Sequence, residues 1–134
     1  MGLDCSHDAF HGAYSAFNRF RQAICAAMDG SHPPHDENHE DLSAERWYWG
    51  PGYDPDTHPG LYVLLCHSDC DGSISPAHCI LIADELEALL PAIAKTDGYG
   101  GGHIEAAGGI IAVTQKFIDG CRWAVREWED LEFA

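Results

Sequence analysis

Two short segments hold most of the side chains able to do acid–base, nucleophilic or metal chemistry. The first is Cys5-Ser6-His7, continued by His11, Tyr14, Asn18 and Arg21; the second is Cys66-His67-Ser68-Asp69-Cys70-Asp71-Gly72. His7, His11, Tyr14, Asn18, Arg21, His67, Asp69 and Asp71 would line a polar pocket, since a few convergent polar groups beside apolar surface are what orients a small ligand. Cys5, His7, His67 and Cys70 would supply the nitrogen and sulfur donors of a tetrahedral zinc site, although Cys5-x-His7 and Cys66-x₃-Cys70 follow no standard knuckle spacing. A Cys–His nucleophile pair, Cys66 or Cys70 with His7 or His67, is a further use of the same residues.

The stretch His67–His78 also lines up with a calcium-binding loop, with Asp69, Asp71, Gly72 and Ile74 in register. Histidines stand where both end carboxylates belong, which removes most of the hard oxygen ligands, so an EF-hand is not expected. Other fragments fall short in the same way. His103-Ile104-Glu105 lacks the downstream PCxxC of zinc deaminases. Gly100-Gly101-Gly102 lacks the Walker lysine, and His32, His35 and His39 lie in an acidic, solvated loop.

These segments need elements to position them. Phe10, Ala13, Phe17, Phe20, Ile24 and Met28 recur at helical spacing, which predicts a first helix from about Asp8 to Asp29. On that helix His7, His11, Tyr14, Asn18 and Gln22 share a stripe beside the apolar face, and Arg21 lies within the face. An arginine there either reaches water with its head or needs a carboxylate or anionic ligand. Residues 31–41, rich in Pro, His and acid, read as a loop, and Arg46–Trp49 as a short strand. Leu61–Cys66, a continuous apolar run, reads as a buried strand that delivers His67, Asp69 and Asp71 into a turn.

A second helix starts after Ser75-Pro76, with Cys79, Ile82, Ala83, Leu86, Leu89 and Leu90 inward and Pro91 ending or kinking it. A third spans about His103 to Trp128, facing Ile104, Ala107, Ile111, Ile118, Cys121, Val125 and Trp128 inward, with Gly108, Gly109 and Gly120 as weak points or close contacts. The expected fold is one α+β domain over residues 1–134: three long helices packed on a small two- or three-stranded sheet.

Composition narrows the function classes. Seven Lys plus Arg against 22 Asp plus Glu give a net charge of −15, which argues against phosphate-mediated nucleic-acid binding and against docking on an anionic membrane. That charge would instead steer in a basic protein partner or keep the protein dispersed. No apolar run is long enough for a membrane span, and the first ten residues do not read as a secretory signal. Of six cysteines, Cys25, Cys79 and Cys121 fall on or beside apolar helix faces, which leaves Cys5, Cys66 and Cys70 for chemistry in a reducing cytoplasm.

Residues 1–21, Leu64–Ile74 (LLCHSDCDGSI), Ala83–Pro91 (ADELEALLP) and Thr114–Gly120 (TQKFIDG) resemble a family of small phage and actinobacterial proteins with an HSDCDGEI-like segment, for which no activity is established. Ser73 stands here in place of the family's Glu. The resemblance implies a phage or bacterial cytoplasmic setting, and it favours one site built from 4–21 and 66–72. The leading expectation is a non-enzymatic binding protein whose pocket holds a small ligand, for instance a nucleotide, or a metal. The alternatives are a zinc-dependent hydrolase with Asp69 or Asp71 as general base, and an acidic interaction module or host-factor inhibitor anchored by Trp47-Tyr48-Trp49.

Overall fold

A computed structural model describes residues 2–28, 56, 58–67, 71–96, 104–105 and 108–134. It begins with a hairpin: β1 (Gly2–Asp4) runs antiparallel to β2 (His11–Ala13), pairing Gly2 with Ala13, Leu3 with Gly12 and Asp4 with His11. A single 3₁₀ turn, Ser6–Asp8, lies between the two strands. Helix α1 (Tyr14–Ala27) follows directly. The expected start near Asp8 is therefore corrected to Tyr14, and His7 and His11 are not on the helix. Phe10 kept the helical spacing because it reaches the same core from the hairpin, with its ring 5.1 Å from Phe17 and 6.5 Å from Phe20.

The apolar run expected as a buried strand is a helix, α2 (Pro59–Cys66). A short continuous apolar run does not distinguish the two by periodicity. Three features favour the helix. Pro59 occupies its first turn, where no N–H is required. Leu61, Leu64 and Leu65 are buried while Tyr62 is exposed, which is a helical pattern. The Glu85 carboxylate accepts from the free N–H groups of Gly60 (2.9 Å) and Leu61 (3.0 Å), supplying the cap that the helix's own sequence lacks. Gly60 is also the point of closest approach: a Cβ there would lie 2.6 Å from the Ile82 nitrogen.

Strand β3 (Ser73–Ile74) pairs antiparallel with β4 (Leu131–Glu132), so the described residues form two two-stranded sheets. The strand expected at Arg46–Trp49 and the connector at 97–102 lie outside the described residues. Helix α3 (Pro76–Ile93) is capped as expected, with the Ser75 hydroxyl accepting from the His78 N–H at 3.3 Å. Pro91 sits inside its last turn and the helix continues to Ile93.

Helix α4 (Ile110–Glu127) starts seven residues later than expected, because Gly108 and Gly109 adopt φ of 104° and 99° and interrupt the helical path after Ile104 and Glu105. Ile104, Ile118 and Cys121 face inward as expected, and the differences lie at the two ends of the helix. Val113, Phe117, Ile118, Cys121 and Ala124 are buried, whereas Ile111 and Trp128, expected inside, are exposed, Trp128 by 64%. The α+β class holds, with four helices of the described residues in place of three long ones.

The core is centred on Phe10, Phe17, Phe20, Phe117 and Phe133, whose rings pack from the hairpin, α1, α4 and the segment after β4. One contact sets the spacing of the hairpin turn on α4. A Cβ on Gly120 would stand 2.5 Å from Ala9 Cβ and 2.6 Å from Ala9 Cα, so the turn rests directly on the helix backbone. Gly120→Ala is expected to destabilise the protein by about 1–3 kcal/mol despite alanine's better helix propensity, as overpacking outweighs propensity. Chemical denaturation of the two proteins measures the difference, and a more stable variant would show that the turn yields freely.

Candidate functional site

The two chemistry-bearing segments meet, and Arg21 is what joins them. Its side chain is 2% exposed, its guanidinium lies 4.3 Å above the Phe17 ring, and Nη2 donates to the His67 carbonyl at 2.6 Å. His67 is the C-terminal cap of α2, so the buried cation sits at the negative end of that helix and bonds one of its terminal carbonyls. The arginine head is thus buried, with a carbonyl and a ring face among its partners.

The His67 ring is held equally firmly. Nε2 donates to the Ser73 carbonyl at 3.1 Å, the ring centroid is 4.2 Å from that of Phe133, and a Cβ on Gly72 would lie 3.3 Å from Cε1. Around this contact Phe133 N–H bonds the Gly72 carbonyl at 2.9 Å and Phe133 bridges to Cys5. Segments 4–21 and 66–72 therefore share one packed junction. Asp69 and Cys70 lie outside the described residues. Asp71 is exposed, and Tyr14 and Asn18 are partly buried on α1.

Cys5, expected among the reactive cysteines, is buried, and burial pushes its thiol up to about 12, assisted by the neighbouring Asp4 carboxylate. A thiol so hard to ionise is a poor nucleophile and a costly metal ligand. Cys25, Cys79 and Cys121 are buried as expected. A hydrogen bond to Cys79, together with burial, holds the Cys121 thiol well above its ordinary value. Among the described residues, no group of three or more His, Cys, Asp or Glu side chains is arranged to hold a metal ion.

Polar side chains instead concentrate on both flanks of the 3₁₀ turn. On one flank, Asp4 and His11 are directly opposed across the hairpin, which pairs His11 Nδ1 with the Asp4 carboxylate. His11 Nε2 meets Asp8 Oδ1 at 2.8 Å, and Lys116 of α4 reaches the same oxygen at 3.4 Å. Hydrogen bonding from His11, and then the Lys116 ammonium, hold the Asp8 carboxyl below its ordinary value. Two groups of this polar rim, His11 and Lys116, also line a cleft of about 110 Å³ together with Ala9, Phe10, Ala16, Ile104 and Val113.

On the other flank, Ser6 Oγ is 2.8 Å from His7 Nδ1 and His7 Nε2 is 3.1 Å from Glu129 Oε1. The turn places these groups by means of two consecutive left-handed residues, His7 at φ 56° and Asp8 at φ 57°. A separate open groove of about 290 Å³ between α3 and α4 is lined by Ile80, Ala83, Asp84, Arg122, Val125 and Arg126, and Arg122 is paired there with Glu87 and Asp84.

Of the residues singled out in the sequence, His7 and His11 belong to the turn's two polar sets, and Arg21 and His67 to the packed junction. Ser6, Asp4, Asp8, Lys116 and Glu129 were not singled out. The first three had a signal, since Asp4, Ser6, His7, Asp8 and His11 fall within eight residues; Lys116 and Glu129 had none, because only the packing of α4 brings them near.

Two outcomes follow. Arg21→Met keeps the stem and removes the donor, and the bare His67 carbonyl should cost about 1–3 kcal/mol in denaturant unfolding. An unchanged midpoint would mean that Arg21 does not cap α2. Because folding lowers the Asp8 pKa, its interactions stabilise the fold above the ordinary aspartate value of 3.8 and are lost as pH falls through the lower folded value. Thermal unfolding followed from neutral pH into acid should therefore decline less steeply in Asp8→Asn than in the parent, and identical slopes would remove Asp8 from the balance.

No family model, no curated protein and no solved structure matches this chain.

Proposed function

We propose that the protein is a small-ligand binding protein whose site is the cleft lined by His11 and Lys116. The observation that carries this reading is the combination of an apolar floor (Ala9, Phe10, Ala16, Ile104 and Val113) with two polar lining residues, His11 and Lys116, that are held in place by the Asp4 and Asp8 carboxylates of the rim. Apolar walls with a few convergent polar groups are the usual make-up of a binding site. At about 110 Å³ the cleft suits a single ring, given that a closed cavity of ~150 Å³ holds benzene.

The ligand class follows from the rim. The two polar lining residues, His11 and Lys116, are already paired with aspartates on a chain of net charge −15, which disfavours a phosphate, so a nucleotide fits less well than a small apolar molecule carrying an amine or other donor. His11 is the one expected pocket residue that lines this cleft. Its carboxylate partners hold its ring in place, which favours binding over a proton-shuttling role. The resemblance to small phage and actinobacterial proteins suits a sequestering protein in a bacterial cytoplasm.

Benzylamine is a suitable probe. In amide-resolved NMR titrations it should shift Ala9, Ile104, Val113 and Lys116 saturably, and Val113→Trp, which fills the cleft, should abolish the shifts while the remaining spectrum stays folded. Asp8→Asn should weaken binding several-fold by removing one rim carboxylate. Shifts that do not saturate, or that persist in folded Val113→Trp, would overturn the assignment.

A further inference from the structure

The Ser6–His7–Glu129 set is independent of the binding cleft, and its hydrogen bonding defines a direction. A carboxylate can only accept, so the 3.1 Å contact with Glu129 Oε1 places the ring proton on His7 Nε2. Nδ1 is then the lone-pair nitrogen, and it faces Ser6 Oγ at 2.8 Å. Nucleophile, base and orienting acid are thereby arranged in the order that activates a hydroxyl. The backbone N–H of Glu132 donates to Ser6 Oγ at 2.8 Å, which fixes the position of the hydroxyl oxygen.

Three further observations separate this set from a simple surface tie. His7 and the following Asp8 are both held at positive φ, a conformation unfavourable for side chains other than glycine, and such strain is concentrated where geometry serves a site. The His7 side chain is only 10% exposed, so its base is shielded, while Ser6 is half-buried and open to approach. Trp123, 44% exposed, meets the His7 ring edge-on at 5.4 Å and so gives the base an apolar neighbour.

We propose that Ser6 is an acyl-accepting nucleophile with His7 Nδ1 as its general base and Glu129 as the residue that positions the ring, and that the substrates are small uncharged esters. In the first step Ser6 Oγ bonds to the ester carbonyl carbon and its proton passes to His7 Nδ1. The ester's C–O bond breaks, and the departing alkoxide takes that proton and leaves as the alcohol. In the second, water gives a proton to Nδ1 and its oxygen bonds to the acyl carbon, the acyl–Oγ bond breaks, Ser6 Oγ takes the proton from Nδ1, and the carboxylic acid is released. No oxidant, metal or co-reactant enters the balance.

The test uses p-nitrophenyl acetate with the full chain. A burst of nitrophenolate should accompany one acetyl group per chain, located on Ser6 by peptide mass mapping. Ser6→Ala should abolish both burst and label. His7→Gly should lower the burst rate by about a hundredfold, the usual worth of a general base. Glycine adopts the left-handed conformation of position 7 without strain, so this variant should stay folded, and added imidazole should restore part of the rate. Glu129→Gln should retain the label but change the pH profile of acylation. Acetyl groups found only on lysines, or a burst unchanged in Ser6→Ala, would overturn the proposal, as would a folded His7→Gly protein that imidazole does not rescue.

Discussion

The closeness of Ala9 to Gly120 governs the functional end of this molecule. With no side chain between them, the hairpin turn rests on the backbone of α4, so groups from two distant parts of the chain come into hydrogen-bonding range. Lys116 reaches Asp8 on one flank and Glu129 reaches His7 on the other. A turn carried even one methyl group further out would lengthen both contacts. The left-handed residues His7 and Asp8 belong to the same constraint, since they turn the chain sharply enough for its two flanks to present different side chains.

Helix α2 is secured by charge. A chain with so few cations commits one of them, Arg21, to its interior, where it is held by a helix-terminal carbonyl and an aromatic face. Glu85 performs the complementary task at the opposite end of α2. That short helix is therefore closed by an anion at its positive end and a cation at its negative end, both supplied by neighbouring helices. Local sequence contributes little to its termini, which is why its apolar residues alone were open to a strand reading.

What was legible in the sequence was whatever depends on near neighbours. Ser75-Pro76 marked the start of α3, the stripe Cys79, Ile82, Ala83 and Leu86 marked its inner face, and Cys25, Cys79 and Cys121 went to the core. The hairpin was hidden because Phe10 continues the aromatic spacing of α1 from outside that helix. On α4, Ile118 and Cys121 were placed correctly, whereas Ile111 and Trp128 were misjudged because the helix begins only at Ile110 and ends before Trp128, which leaves both at its open ends. In the site, histidines 7 and 11 were found by residue type and density, whereas their partners on α4 and beyond are set by tertiary packing, to which local periodicity is blind.

The strand at 131–132 and the residues beside it have a consequence for biosynthesis. Glu132 N–H bonds the Ser6 hydroxyl across a separation of 126 positions, and Phe133 covers both Phe17 and His67. Contacts of such sequence separation form late, after the loop entropy between them has been lost. On the ribosome the hairpin emerges before the segment that seals it, so Cys5, Ser6 and Phe17 stay uncovered until residues 131–133 have been translated. Until then the hairpin is exposed to chaperones and proteases, and the Ser6 flank of the turn is completed only when that last contact forms.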